Sequence, residues 1–324
     1  MQRGAPAVPA TGMSGPANDQ TWLVERFEEQ RPRLRQVAYR MLGSLAEADD
    51  AVQEAWLRAS AAGESRVANV GGWLTTIVAR VCLNALRARG TRREERLDVR
   101  LPDPVVGRHG DPEQEALLGD AVGLALLVVL DALAPAERVA FVLHDTFAVP
   151  FPEIARLLDT TSAAARQLAS RARRRVRGAA VPDASLDRQR QVVAAFTAAA
   201  QHGDFDRLVS ILDPDVVLRV DGGARTELTG MRRGAAAVAR GAVEFANPAA
   251  RSHPVMVGGA AGVVVTVEGH PVSLMAFTVT GGRIVEIDAI VDPERAEALA
   301  GSLLRHGVAT ARRRGPSWSA QTAR

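Results

Sequence analysis

The chain has 324 residues, 47 % hydrophobic and only 4 % aromatic, which favours two or three domains with Ala, Leu and Val cores over a largely disordered chain. The formal charge is only +3, yet all 40 bases are arginines and they are clustered, so their placement matters more than their sum. A single cysteine, Cys82, excludes a disulfide framework or a thiolate metal site, and no run reaches the ~18 apolar residues of a membrane span.

Residues 1–18 are rich in Pro, Gly and Ala without the apolar core of a signal peptide, so a disordered N-terminus and a cytoplasmic location are expected. Helical periodicity then runs over 19–93. SLAEADDAVQEAWLRA (44–59) opens with Ser44 and Glu47, the spacing of a capping box. Ala48, Val52, Ala55, Trp56 and Ala59 fall on one face, and Asp49, Asp50, Gln53 and Glu54 on the other. Such an acidic face is usually just solvated. The next helix, 71–90, buries Leu74, Ile77, Val78, Val81, Cys82 and Ala85 and shows Trp73, Thr76, Arg80, Asn84 and Arg87 outward. An aromatic beside hydroxyls, an amide and arginines suits unpaired bases and phosphates, although Trp73 also fits a core.

The stretch 94–112 carries Pro102, Pro104, Pro112 and two glycines and reads as a linker to a second helical unit, 113–178. Within that unit PFPEIARLLD (150–159) is a short helix, residues 159–162 make a turn with Ser162 as a plausible N-cap, and a second helix buries Ala165, Leu168, Ala172 and Val176. Arg166, Gln167, Ser170, Arg173, Arg174 and Arg177 are left facing out. A membrane-surface helix needs bulky apolar residues opposite its charges, and a solvated one usually mixes in Glu for pairing; neither is present. The pattern is that of a helix-turn-helix that reads DNA.

These residues carry a resemblance. Residues 130–176 resemble region four of an extracytoplasmic-function sigma factor of the sigma-70 family, and 27–59 with 67–95 resemble region two, in the right order and without an intervening region three. The resemblance implies that Asp49, Asp50, Gln53 and Glu54 dock on core RNA polymerase. It puts Trp73, Thr75, Thr76, Arg80, Asn84 and Arg87 toward the −10 strand. Ser162, Arg166, Gln167, Ser170, Arg171, Arg173 and Arg174 lie toward the −35 duplex, where Arg pairs with guanine and Gln with adenine.

From 184 to 306 the pattern changes to two helices and a strand over 185–223, a helix at about 232–246, and strands near 253–257, 262–268, 271–280 and 283–291. Glycine turns at 258–259, 268–269 and 281–282 mark an antiparallel meander. This resembles the cone-shaped α+β fold of SnoaL-like and NTF2-like proteins, so the whole chain is similar to the SigJ-type subgroup: two all-α domains followed by an α+β domain, with 307–324 as a disordered tail. Subgroup motifs appear as Pro102 and Pro104 in the linker, preceded by Arg100 where a Trp is usual, as Asp221-Gly222-Gly223-Ala224-Arg225, one glycine short, and as Asp292-Pro293-Glu294-Arg295.

The expected function is a sigma factor that guides polymerase core to promoters, needs no cofactor or metal, and is modulated in cis by its last domain. A module tethered so closely has region two or the Pro102–Pro104 linker as its nearest target, with Asp221, Gly222, Gly223 and Arg225 as contact residues. Two rivals stand beside it: a helix-turn-helix regulator binding duplex DNA without polymerase, and a SnoaL-type isomerase or hydrolase fused to a DNA-binding segment. For the latter, Asp221, His253, His270 and Asp288 are the available polar groups, and Tyr39, the only tyrosine, lies in the first helical unit.

Overall fold

The computed structural model describes residues 16–62, 69–93, 100–107, 124–178, 180 and 182–313. The termini expected to be disordered lie outside them at 1–15 and 314–324, and so do 94–99 and 108–112 of the linker. Helix runs past both expected borders, because α1 (Pro16–Leu42) begins at Pro16 and α11 (Pro293–Arg313) ends at Arg313. Proline at a first helical position is preorganised for the turn, and the Ala, Leu and Arg of the last helix are strong helix formers.

In the first unit α1 packs with α2 (Leu45–Ala62) and α3 (Val70–Arg93) around Phe27, Leu34, Met41, Val52, Leu74 and Val78. Cys82 belongs to this core, and burial pushes its thiol up to about 12. Glu47 pairs with Arg89. The second unit comprises α4 (Leu124–Asp131), α5 (Pro135–Phe141) with a π-helical turn at Val142–Thr146, α6 (Phe151–Leu157) and α7 (Ser162–Arg177). Ala165, Ala169 and Ala172 are its buried seam, whereas Leu168 and Val176, expected inside, are half-buried at its edges. The N-cap is Thr161, not Ser162: the Thr161 hydroxyl accepts from the Ala164 N–H at 3.1 Å.

The two helical units are packed on each other. The Arg138 guanidinium, 3 % exposed, donates to the Met41 carbonyl at 2.8 Å and to Asp131 Oδ1 at 2.8 Å. Arg40 stacks over the Phe147 ring at 5.3 Å.

The third unit follows through α8 (Leu186–His202), α9 (Phe205–Ile211), β2 (Leu212–Asp221), β3 (Gly230–Arg233), α10 (Ala235–Glu244), β4 (Ala250–Val257), β5 (Ala260–Val267), β6 (His270–Thr280) and β7 (Arg283–Ile290). The strands β4 to β7 form the expected meander. Its turns use positive φ at Gly258, Gly259, Glu268, Gly269, Gly281 and Gly282. Two features are new: β2 runs parallel to β7, and the linker supplies a strand, β1 (Val106–Gly107), to the far edge beside β4. The sheet order is β1-β4-β5-β6-β7-β2-β3.

This sheet is buried on both faces. Ala261, Val263, Phe277 and Ile287 turn toward α8, α9 and α10, while Val264, Leu274, Ala276 and Ile290 join the core that runs through both helical units. The period-2 alternation of a strand sends adjacent residues such as Val263 and Val264 into different cores. Helix α11 covers β6 and reaches β1, and α4 touches β7.

Asp288 on β7 is 2 % exposed and receives Arg219 at 2.9 Å, with Glu286 on the same guanidinium at 3.0 Å. Burial pushes its carboxyl up to about 6 despite Arg219, helped by the Glu286 charge. The folded chain therefore holds this proton more tightly than the unfolded chain, and stability from this group is lost as pH rises from about 4 through about 6. Asp288→Asn, which cannot titrate, should flatten that part of the profile. In urea midpoints compared from pH 4.5 to 7.5, the wild-type midpoint minus that of the variant should fall with rising pH. A constant difference would show that Asp288 does not titrate there.

Candidate nucleic-acid interface and linker clasp

On α2, the side chains of Asp49, Asp50, Gln53 and Glu54 form one exposed face opposite buried Ala48, Val52 and Ala55. Asp49 pairs with Arg35 at 2.5 Å and Glu54 with Arg58 at 2.5 Å. Exposed pairs of this kind contribute about 0–1 kcal/mol, so a partner can displace them at little cost.

On α3, Arg80, Asn84 and Arg87 share an exposed stripe. Trp73 and Thr76 are half-buried at its start, and the Thr76 hydroxyl donates to the Gly72 carbonyl at 2.9 Å. Thr75 is a correction: it is 2 % exposed, and its hydroxyl donates to the Gly71 carbonyl at 2.7 Å. Helical spacing places it above Val78, Ala79 and Cys82, on the core side.

On α7, Arg166, Gln167, Ser170 and Arg174 are exposed together, with half-buried Ser162 at the helix start. Arg166 sits over the Phe151 ring at 5.6 Å, which holds its stem against α6. Arg171, also exposed, and half-buried Arg173 are engaged by acids of the fold. Arg171 Nε donates to Glu137 Oε1 at 2.9 Å, Arg175 takes the other oxygen of that buried acid, and Arg173 Nε donates to Asp145 at 2.5 Å. These three tie α7 to α5 and the π-helical turn.

The linker segment 100–107 is clasped from both sides. Toward the first unit, Asp103 N–H donates to the Gly43 carbonyl at 2.8 Å, and the Tyr39 hydroxyl accepts from Val105 N–H at 3.1 Å. Burial pushes the Tyr39 phenol up to about 12. Gly43 has φ +76°, and a Cβ there would lie 3.0 Å from Cβ of Pro102, so the proline packs directly on it. Toward the third unit, Leu101 N–H donates to Asp221 Oδ2 at 2.8 Å, and Gly258 N–H donates to the Val105 carbonyl at 2.8 Å. Arg295, on α11, holds the centre: it donates to Asp221 Oδ2 at 2.6 Å, to Asp103 Oδ1 at 2.5 Å and to the Leu101 carbonyl at 2.9 Å. Burial works against its charge, and Asp103 and Asp221 outweigh that, so its pKa lies above the ordinary arginine value.

Of the expected contact residues, Asp221, Gly222, Gly223, Pro102 and Pro104 meet at this clasp or immediately beside it. Pro104 is buried. Gly223 has φ +58°, and a Cβ there would lie 1.9 Å from Asp292 Oδ2. At Gly222 the obstacle is the Arg225 carbonyl, 2.2 Å away. Arg225 itself is exposed and its side chain lines a cavity of the third unit. Arg295, Asp103 and Tyr39 join the clasp without being among the expected contact residues, although the Asp292-Pro293-Glu294-Arg295 and Leu101-Pro102-Asp103-Pro104 motifs marked the place.

The polar groups weighed for catalysis do not converge. Asp221 belongs to the clasp, His253 Nε2 contacts Thr266 Oγ1 at 2.9 Å, His270 is exposed and Asp288 is held by Arg219. None of the four lines the cavity. Among the described residues no helix is long and apolar enough to cross a membrane, and no cluster of His, Cys, Asp and Glu could hold a metal ion.

Known proteins match this arrangement. Residues 26–92 match the model of Sigma-70 region 2, and 123–176 that of Sigma-70 region 4. The ECF RNA polymerase sigma factor SigJ of Mycobacterium tuberculosis is 45 % identical over 202 residues, which is 61 % of this chain and 64 % of that protein, just under two thirds of its length. The probable ECF RNA polymerase sigma factor SigI of the same species is 33 % identical over 286 residues, 86 % of this chain and 96 % of that one. The crystal structure of the M. tuberculosis extracytoplasmic function sigma factor SigJ superposes with a TM-score of 0.65 at 38 % identity, covering 84 % of this chain and 97 % of that one.

Removing one partner of a buried, hydrogen-bonded ion pair costs about 3–5 kcal/mol. Arg295→Ala is therefore expected to destabilise the chain by about 2–4 kcal/mol, reduced because Arg295 is 15 % exposed. Gly223→Ala should act in the same direction through its positive φ and the Asp292 contact. Chemical denaturation, with amide exchange at Leu101 and Asp103, measures both. Wild-type exchange at those two amides in either variant would show that the clasp does not depend on them.

Proposed function

We infer, because the chain belongs to the extracytoplasmic-function RNA polymerase sigma factors, that it joins core polymerase, recognises promoter −10 and −35 elements and initiates transcription. The observation that carries this reading is the order of surfaces in one chain: the acidic face of α2, the basic stripe of α3, then the helix-turn-helix of α6 and α7. A regulator that binds duplex DNA alone has no use for the first two.

In this reading Asp49, Asp50, Gln53 and Glu54 contact polymerase. Arg80, Asn84 and Arg87, with Trp73 and Thr76 once their cover shifts, take the −10 strand. Arg166 and Gln167 read −35 base edges from α7, Arg174 contacts phosphate, and Arg171 and Arg173 position the helix. Elements about 25 base pairs apart are separated by roughly 85 Å of duplex at 3.4 Å per pair. A compact chain of this length has a radius of gyration of only about 20 Å. The contact through Arg138 and Met41 must therefore open when promoter is bound. The α+β domain regulates that opening in cis, because it holds the linker through Arg295 and Asp221 and touches α4 of the second unit through β7.

Run-off transcription with purified core polymerase tests the reading. Wild-type protein should start transcription at defined promoters while binding isolated duplex poorly; tight, specific binding without polymerase would favour the regulator reading. Arg166→Ala and Gln167→Ala should change −35 preference, since base-edge contacts give about 1–3 kcal/mol of discrimination each, and Arg174→Ala should weaken all sequences alike. Identical selection profiles for the three would remove that division. Because the sheet covers the helical core, a point variant is a cleaner test of cis control than truncation. Arg295→Ala should raise promoter output several-fold by releasing the linker; unchanged output would exclude the clasp as a regulator.

A further inference from the structure

The α+β domain encloses a cavity of about 590 Å³ between α8, α10 and the concave face of the sheet. That is within the range of about 300–1,000 Å³ usual for small-molecule sites. Its walls are mostly apolar, including Leu218, Val220, Val265, Met275, Ile287 and Ala289, and Gln201, Ser252 and Ser273 are among its uncharged polar groups. Its charged lining side chains are Arg225, Glu227 and Arg232, all exposed, so charge is confined to the mouth. There Phe245 is 65 % exposed and Arg232 lies over its ring at 5.7 Å. The lining itself carries two guanidiniums and one carboxylate, and Glu244, outside the lining, makes only a loose 3.8 Å ion pair with Arg232.

The cavity wall is interleaved with the linker clasp. Val220 lines the cavity, and the next residue, Asp221, holds Leu101 and Arg295. The Thr229 hydroxyl, also in the lining, accepts from Gly222 N–H at 3.0 Å. Val291 lines the cavity too; its N–H donates to the Asp221 carbonyl at 2.9 Å, and it precedes the Asp292 that abuts Gly223. A ligand that spreads β2 from β7 at this end, or moves the 222–229 loop, displaces the carboxylate that the linker amide and Arg295 share.

We propose that this cavity is an effector site for an amphipathic small molecule, with an apolar body inside and a single anionic group at Arg225 and Arg232, whose occupancy alters the hold on the linker. The coupling half of this proposal rests on the reading of the clasp as a cis regulator; the binding half does not.

The test titrates the full chain with the fluorescent fatty acid cis-parinaric acid and with the corresponding alcohol. Saturable one-to-one binding is expected, with the acid about tenfold tighter; charge-assisted hydrogen bonds are roughly twice as strong as neutral ones. The double variant Arg225→Ala, Arg232→Ala should abolish that preference. Ala242→Trp and Ser273→Phe each place bulk into the cavity, from α10 and from β6, and should weaken both probes at least tenfold. No saturable binding to the wild type, or undiminished binding to either variant with cooperative unfolding retained, would overturn the site. Equal affinity for acid and alcohol would overturn the anionic head group. For the coupling, amide exchange at Leu101 and Asp103 should change at least fivefold with the acid bound, and not in Arg295→Ala, which should still bind it. Binding without any change at those amides overturns the coupling alone. The transcription assay on Arg295→Ala, run without probe, separately reports on the clasp.

Discussion

One half-buried guanidinium joins the last helix, the end of β2 and the linker. Arg295 lies on the last helix, yet its hydrogen bonds go to a carboxylate at the end of β2 and to the linker backbone and side chain. An arginine can do this because its planar fork offers several fixed donors at once, and an ammonium would satisfy fewer of these acceptors. With the charge balanced by Asp103 and Asp221, the desolvation that opposes burying an ion is offset by short, directed bonds. The linker is held as an extended edge, and its two residues at 106–107 complete a sheet that begins 105 residues later in the chain, at Leu212.

The sheet has no solvated face where the helical units meet it. Strand alternation supplies one set of valines and leucines to the α8–α10 side and another to the sigma regions. Any separation of the helical regions would therefore expose apolar surface from that shared core, and whatever partner drove it would have to compensate. The domain that covers the helical core is also the domain that holds the linker, and the proposed cis control draws on that coincidence.

The arginines divide by partner. Where a buried acid lies within reach, as Glu137 does for Arg171 and Arg175, they act as struts that set the angle of the recognition helix. Where none does, as at Arg174, the guanidinium faces solvent, on the same exposed side as Gln167. Helix α7 therefore uses part of its charge to orient itself and leaves the rest facing solvent.

Much of this was legible in the residues. Helical and strand periodicities, glycine turns and the helix-turn-helix pattern follow from local sterics and burial over a few neighbours, so the three units and the four-strand meander could be read directly. The acidic face of α2 and the exposed side of α7 follow from the same spacing. What spacing cannot show is contact between distant segments. Thr75 was placed outward by family likeness, although its register belongs to the core. That Arg171 pairs with Glu137 and Arg173 with Asp145 is not visible along the chain. The contacts of Arg295 and the strand made by the linker depend on groups up to 194 positions apart. Tertiary packing alone decided which carboxylate meets which guanidinium, because an ion pair is fixed by distance in space and a sequence records only distance along the chain.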